Sequence, residues 1–396
     1  MRFLFTFEGG AGHFNPLVPI ARAAEAAGHA VAFACAPAQC AMVAAAGFQA
    51  FAAGIDVGST PETDAMEDHY LATPDIAERE AYLLREGFAG WYARYKARDV
   101  LKLCAEWRSD VLVRDEIDFG SAVAAERLGI PHANVLVIAA GSFVREDLIS
   151  DPLNALRAEH DLPPDPQLAM LSRYLVLAPF PPSYRDPAFP LPTTAHALQP
   201  LLPAPAADEQ LPPWANHLPN APTVYFSLGT AYGSSLRDVF TQVITGLRAL
   251  PINLIVTVGR RLDPADFGDQ PANVHIERYI PQALLLPLCD LAVSHGGSGS
   301  VMGALAHGVP LAIIPLNADQ PLNAERCAAL GVGRMIGDHA ITAAMARTDV
   351  AAMLADPTYR QHAGRVRDEI SALPGPAYAL ALLERLAAER QPILSA

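Results

Sequence analysis

Between residues 179 and 222 the chain runs through Pro-Phe-Pro-Pro, Pro-Leu-Pro and Leu-Pro-Pro-Trp. Proline fixes φ and offers no N–H, so a tract this dense builds neither a helix interior nor a central strand. It divides the chain into two parts, and both show the same alternation of short apolar β-prone runs with helical patterns. In the first part strands are predicted at Phe3–Phe7, Val31–Ala34, Phe48–Phe51, Val111–Arg114 and His132–Ile138, with a helix at Phe119–Leu128. Another helix should open at Asn15-Pro16 and close at Gly28. In the second part strands are predicted near 223–228, 253–258, 273–276, 290–294 and 311–314. Strand–helix alternation of this kind implies an α/β fold, here two Rossmann-like, doubly wound domains. The boundaries read as 1–205, a Pro-rich linker at 206–222, 223–375, and a closing helical segment at 376–396. Residues 55–108 interrupt the rhythm with a long helical stretch rich in aromatics.

The second part carries Ser294-His295-Gly296-Gly297-Ser298-Gly299-Ser300 between an apolar strand and a helical pattern. A strand-to-helix turn there presents backbone N–H groups, backed by the helix dipole, to an anionic oxygen. The alternative is a glycine turn with no ligand. Asp319, Gln320 and Asn323 follow the next strand and fall on the same edge of a parallel sheet, which favours the phosphate cradle.

In the first part, His13 lies in Glu8-Gly9-Gly10-Ala11-Gly12-His13-Phe14, read as a flexible loop after the first strand. In the strand order 3-2-1-4-5-6 the first and fourth strands are neighbours, which brings Asp115 within reach of His13. A carboxylate on one ring nitrogen fixes the tautomer and leaves the other nitrogen as a general base. A surface or capping histidine is the competing reading. Asp118 reads as the cap of the next helix, and Asp115 with Asp118 is a poor metal site.

The formal charge of −14 argues against nucleic acid and anionic membranes as partners. Five scattered cysteines without zinc spacing read as reduced thiols of a cytoplasmic protein. The opening Met-Arg-Phe-Leu-Phe-Thr-Phe-Glu reads as a strand and not a signal peptide. Neither part has a Gly-x-Gly-x-x-Gly fingerprint with a ribose-binding acid, so a dehydrogenase is disfavoured.

Taken together, Gly12 to Pro16, the Asp115 region, Tyr225 to Thr230, Tyr279-Ile280-Pro281-Gln282, the His295 cradle and Gly308-Val309-Pro310 through Asp319-Gln320 resemble the GT-B glycosyltransferases. The resemblance is to the family holding plant secondary-metabolite and actinobacterial antibiotic enzymes. It implies two domains facing a central cleft, and an inverting, metal-independent transfer from a nucleotide sugar with no cofactor. His13 would be the base and Asp115 its support. His295, Gly297, Ser298, Gly299 and Ser300 would hold the diphosphate. Asp319 and Gln320 would hold sugar hydroxyls, with Thr230 near the β-phosphate. Tyr279 replaces the usual tryptophan against the base, with Ile280 and Gln282 beside it. Gly303 stands where many uridine-diphosphate-sugar enzymes carry a ribose-binding Glu, which points to a thymidine-diphosphate (dTDP) deoxysugar. The acceptor would be a natural-product aglycone such as a polyketide, enediyne or aromatic antibiotic, lined by Phe88, Trp91, Tyr92 and Phe143; plain core packing is the competing reading of these aromatics. A UDP-hexose transferase on a flavonoid-like or macrolide acceptor and a non-catalytic nucleotide-sugar binder are the rivals. The resemblance leaves room for a homodimer.

Overall fold

The computed structural model describes residues 1–202, 205, 208–229 and 236–395. The chain forms two compact units. One comprises Met1–Pro179, Pro187–Leu201 and Leu373–Ala396, the other Phe180–Asp186 and Leu202–Ala372. The chain therefore leaves the first unit at Leu201 and returns to it at Leu373, and a seven-residue excursion from the proline-dense stretch belongs to the second.

In the first unit, β1 (Arg2–Thr6), β2 (Ala30–Cys35), β3 (Gln49–Ala52), β4 (Val111–Asp115), β5 (His132–Val135), β6 (Leu175–Ala178) and β7 (Ala195–Ala197) form one sheet in the order β3-β2-β1-β4-β5-β6-β7. Among the described residues all its strand pairings are parallel. Parallel strands are covered on both faces and read as continuous apolar runs. Phe3 and Phe5 point to one face, where Leu380, Leu383 and Leu386 of the C-terminal helix join them. Leu4, between them, points to the other face with Val100 and Cys104.

The second unit repeats the plan with β8 (Thr223–Ser227), β9 (Asn253–Thr257), β10 (Val274–Glu277), β11 (Leu291–Ser294), β12 (Leu311–Ile313) and β13 (Gly333–Met335), ordered β10-β9-β8-β11-β12-β13. In both sheets the strand order reverses beside the unit's first strand, between β1 and β4 and between β8 and β11. Such switch points open a crevice at the strands' carboxyl ends, where α/β sheets bind ligands.

Three strands were not predicted. β7 lies inside the proline-dense stretch, and its place at the sheet edge, paired only with β6, explains why flanking prolines are tolerated. β6 runs straight into the proline-dense stretch that begins at Pro179, and β13, Gly333-Arg334-Met335, has one apolar side chain. The helix expected from Asn15 instead begins at Ala11. Gly10 is extended and serves as its N-cap; the run passes through a 3₁₀ turn at Asn15–Leu17 and resumes at Val18–Ala26. Pro16 and Pro19 each remove a ladder donor, which segments it. His13 accordingly sits on a helical turn and not on a flexible loop. The aromatic stretch resolves into α-helices Pro61–Ala72, Ile76–Tyr82 and Ala93–Trp107, with a π-helix at Leu83–Tyr92 between the last two.

Candidate functional site

Asp115 ends β4 with its carboxylate wholly buried. Its Oδ2 lies 2.5 Å from His13 Nδ1. Its Oδ1 accepts from the backbone N–H of Asp118 at 2.9 Å and of Glu8 at 3.4 Å. Burial raises the carboxyl above its usual range, opposed by the attraction and hydrogen bond of the His13 ring. The amides fix which oxygen faces the ring, and that oxygen sets which ring nitrogen meets the carboxylate. Gly9 makes the ring's position possible. It has φ +88, and a Cβ there would lie 2.8 Å from His13 Cδ2.

Three further buried polar groups brace the chain around the dyad. Lys96, fully buried, donates to the Phe7 carbonyl at 3.0 Å and pairs with Glu8 at 3.1 Å. Burial pushes the Glu8 carboxyl up, and Lys96 pulls it back. Arg114, also fully buried, donates to the carbonyls of Asp115 at 3.0 Å and Glu116 at 3.2 Å, pinning the turn after β4. Asp118 caps the helix Phe119–Leu128, accepting from the Ser121 N–H at 3.0 Å and its hydroxyl at 2.7 Å. Neither Lys96 nor Arg114 was marked out in sequence.

The four aromatic candidates divide. Phe88 and Phe143 are partly buried against one apolar cluster with Ile117 and Ile138. Tyr92 is buried, its ring centroid 5.8 Å from that of Phe88. Trp91 has the Arg94 guanidinium 5.6 Å from its ring centroid.

In the second unit the chain leaves β11 through His295, turns at Gly296 (φ +87) and enters the helix Ser298–Ala306, whose N-cap is Gly297. No side chain caps this end, and a helix N-terminus of this kind suits an anion. The His295 ring fits a slot between two glycines. A Cβ on Gly229 would lie 2.8 Å from its Cε1, and one on Gly297 would lie 2.6 Å from its Nε2. Burial drops the His295 pKa to about 4, so the ring is neutral at pH 7.

The segment after β12 is stitched to this cradle. Ser298 Oγ donates to Asp319 Oδ2 at 2.7 Å. Asn323, fully buried, donates from one nitrogen to Gly296 O at 2.9 Å, Ser298 Oγ at 3.1 Å and Asp319 Oδ2 at 2.8 Å. Gln320 is turned inward: its Oε1 accepts from the amides of Leu316 at 2.8 Å and Asn317 at 3.2 Å. Ala318 adopts φ +53, a conformation uncommon for a residue with a Cβ, in the step that presents Asp319.

After β10, Tyr279 is 63% exposed while Ile280 is buried. Gln282 donates to the Tyr225 hydroxyl at 3.2 Å, which lies 2.7 Å from Thr257 Oγ1. Thr230 lies outside the described residues. Gly303 is buried in the cradle helix, where an added Cβ would meet Leu286 at 3.6 Å and Gln282 at 4.0 Å, ordinary contacts. Among the described residues no group of three or more His, Cys, Asp or Glu could hold a metal ion, and no helix is long and apolar enough to cross a membrane.

Two family models match. The N-terminal domain of the erythromycin biosynthesis protein CIII-like proteins matches residues 22–191, and their C-terminal domain matches residues 241–386, most of the chain between them. The chain belongs to the EryCIII-like glycosyltransferases. Tylactone mycaminosyltransferase of Streptomyces fradiae is 28% identical to this EryCIII-like enzyme, over 98% of this chain and 93% of its own. TDP-daunosamine transferase DnrS of Streptomyces peucetius is also 28% identical, over 99% of this chain and 98% of its own. In three dimensions it is similar to the glycosyltransferase VinC, solved in complex with dTDP, with a TM-score of 0.76 at 24% identity, covering 98% and 100% of the two chains. The EryCIII-like enzyme therefore has the GT-B fold, and its two switch points carry the dyad and the cradle.

Proposed function

We propose that this EryCIII-like enzyme moves a deoxysugar from a dTDP-sugar to a hydroxyl of a natural-product aglycone, a polyketide, enediyne or aromatic antibiotic, with inversion and without a metal. The His13–Asp115 dyad carries the reading. His13 Nε2 takes the proton as the acceptor oxygen bonds to the anomeric carbon. The bond from that carbon to the diphosphate oxygen breaks, and its electron pair leaves with dTDP. Asp115 steadies the imidazolium so formed. The Ser298–Ser300 amides and the helix dipole stabilise charge on the departing diphosphate. Phe88, Trp91, Tyr92 and Phe143 are the proposed acceptor-side residues, although Tyr92 also packs as core. Tyr279, exposed and aromatic, suits stacking on the base, with Ile280 and Gln282 beside it.

The thymidine preference rests on Gly303, which has no side chain to meet a ribose 2′-hydroxyl; the dTDP bound to VinC and the TDP in the name of DnrS support it. Thermal-shift titration with thymidine and uridine diphosphates tests it. Thymidine diphosphate should stabilise the protein more, and Gly303→Glu should move the preference toward uridine. Equal stabilisation by both nucleotides, with no response to Gly303→Glu, refutes the donor assignment.

A further inference from the structure

Asn323 spends its single side-chain nitrogen on three acceptors, and those acceptors belong to the two halves of the donor site. Gly296 O and Ser298 Oγ are on the cradle, and Asp319 Oδ2 is on the segment after β12. Two N–H bonds serve three oxygens, so one is shared. Ser298 Oγ accepts from Asn323 and donates to Asp319, which closes a small ring of bonds. The amide's orientation is set from behind. The Tyr184 hydroxyl, wholly buried, lies 3.3 Å from both Asn323 Oδ1 and Asn323 O. That tyrosine comes from the excursion Phe180–Asp186, which Arg326 holds by donating to the carbonyls of Tyr184 at 2.7 Å and Ser183 at 2.6 Å.

We propose that Asn323 and Ser298 are positioning residues that aim the Asp319 carboxylate at the donor sugar, so that recognition of the sugar is set separately from recognition of the diphosphate. This rests on the reading of Asp319 as the sugar-facing group. Bonds to a carboxylate are the strong kind, and two of them on Oδ2 hold its orientation. The Ser298 backbone N–H serves the cradle whatever its side chain does, while its hydroxyl serves Asp319. Removing the hydroxyl therefore separates the two functions, whereas removing Asn323 loosens both through Gly296.

The test uses the full chain and two probes, thymidine diphosphate by calorimetry and a thymidine-diphosphate sugar by steady-state turnover. Ser298→Ala should leave the thymidine diphosphate Kd within about twofold, raise the sugar-donor KM or lower kcat by about tenfold, and lower Tm by no more than a few degrees; one bond to a charged group has that value. Ser298→Thr, which keeps the hydroxyl, should restore turnover. Asn323→Ser should weaken thymidine diphosphate as well. Equal losses for both probes in Ser298→Ala, no loss in either, or no rescue by threonine overturns the proposal. If the wild-type protein binds neither thymidine nor uridine diphosphate, the donor reading itself falls, and this proposal with it.

Discussion

Asp115→Asn reverses the His13 tautomer. In the native chain Oδ1 is committed to the amides of Asp118 and Glu8, both donors, and Oδ2 faces His13 Nδ1 at 2.5 Å. An asparagine of the same shape keeps its carbonyl oxygen toward those amides, because turning it would point N–H at N–H. Its NH₂ then faces Nδ1, which must offer a lone pair, and the ring proton moves to Nε2. The edge that should accept the acceptor's proton now carries one. Loss of general-base catalysis costs about 10²–10⁴ in kcat, or about 3–5 kcal/mol. Stability should change by no more than about 1–2 kcal/mol, because a weakened bond to His13 is offset by relief of a buried charge whose carboxyl already titrates high. Turnover at saturating donor, with Kd for thymidine diphosphate measured in parallel, reads this out. His13→Ala and the double variant should be as slow as Asp115→Asn, since the pair acts as one unit. Asp115→Asn retaining more than a tenth of native kcat, with nucleotide binding intact, would refute the tautomer argument.

Two further outcomes follow from the cradle. Gly297→Ala places a Cβ into the His295 ring without straining the backbone, since φ there is −61. Thymidine diphosphate affinity should fall at least about tenfold while unfolding free energy drops by only about 1–3 kcal/mol, and unchanged affinity in calorimetry would show that the ring position is irrelevant to the nucleotide. The His295 ring resists protonation down to about 4, whereas the unfolded chain takes that proton near 6.5. The contribution is thus whole above pH 6.5 and is lost as pH falls toward 4, by about 1–3 kcal/mol. Urea unfolding at pH 7 and pH 5 should show His295→Gln losing less than the native protein, and equal losses would count against it.

The repeated alternation of strand and helix was legible because apolar runs alternate with capped helices, and the order 3-2-1-4-5-6 is the common one for such an alternation. Asp118 marks the start of the helix Phe119–Leu128 by residue type alone, and its carboxylate does accept from the Ser121 N–H. The meeting of His13 with Asp115 followed from that order. What stayed hidden were groups whose meaning depends on distant partners. Lys96 looks like any helix lysine until Phe7, 89 residues away, supplies a carbonyl. Asn323 gains its role only when Gly296, 27 residues back, folds against it. Gln320 fell on the expected turn, but its amide braces Leu316 and Asn317, a local bond that residue type does not reveal. Ala-His-Ala in β7 and Gly-Arg-Met in β13 carry no period for a reader to find.

The helix Pro376–Glu389 inserts Leu380, Leu383 and Leu386 into a core that also holds Phe3, Phe5 and Phe33, and Glu384 lies 2.8 Å from His29. Leu202–Ala372, by contrast, is contiguous save for the excursion at Phe180–Asp186. During synthesis the second unit can therefore close while the first still lacks one wall, and the unit bearing His13 is completed last. A ribosome stalled before residue 376 would release a chain with a formed cradle and an exposed phenylalanine face. The unit that carries the His13–Asp115 pair thus depends on chain made after the other unit.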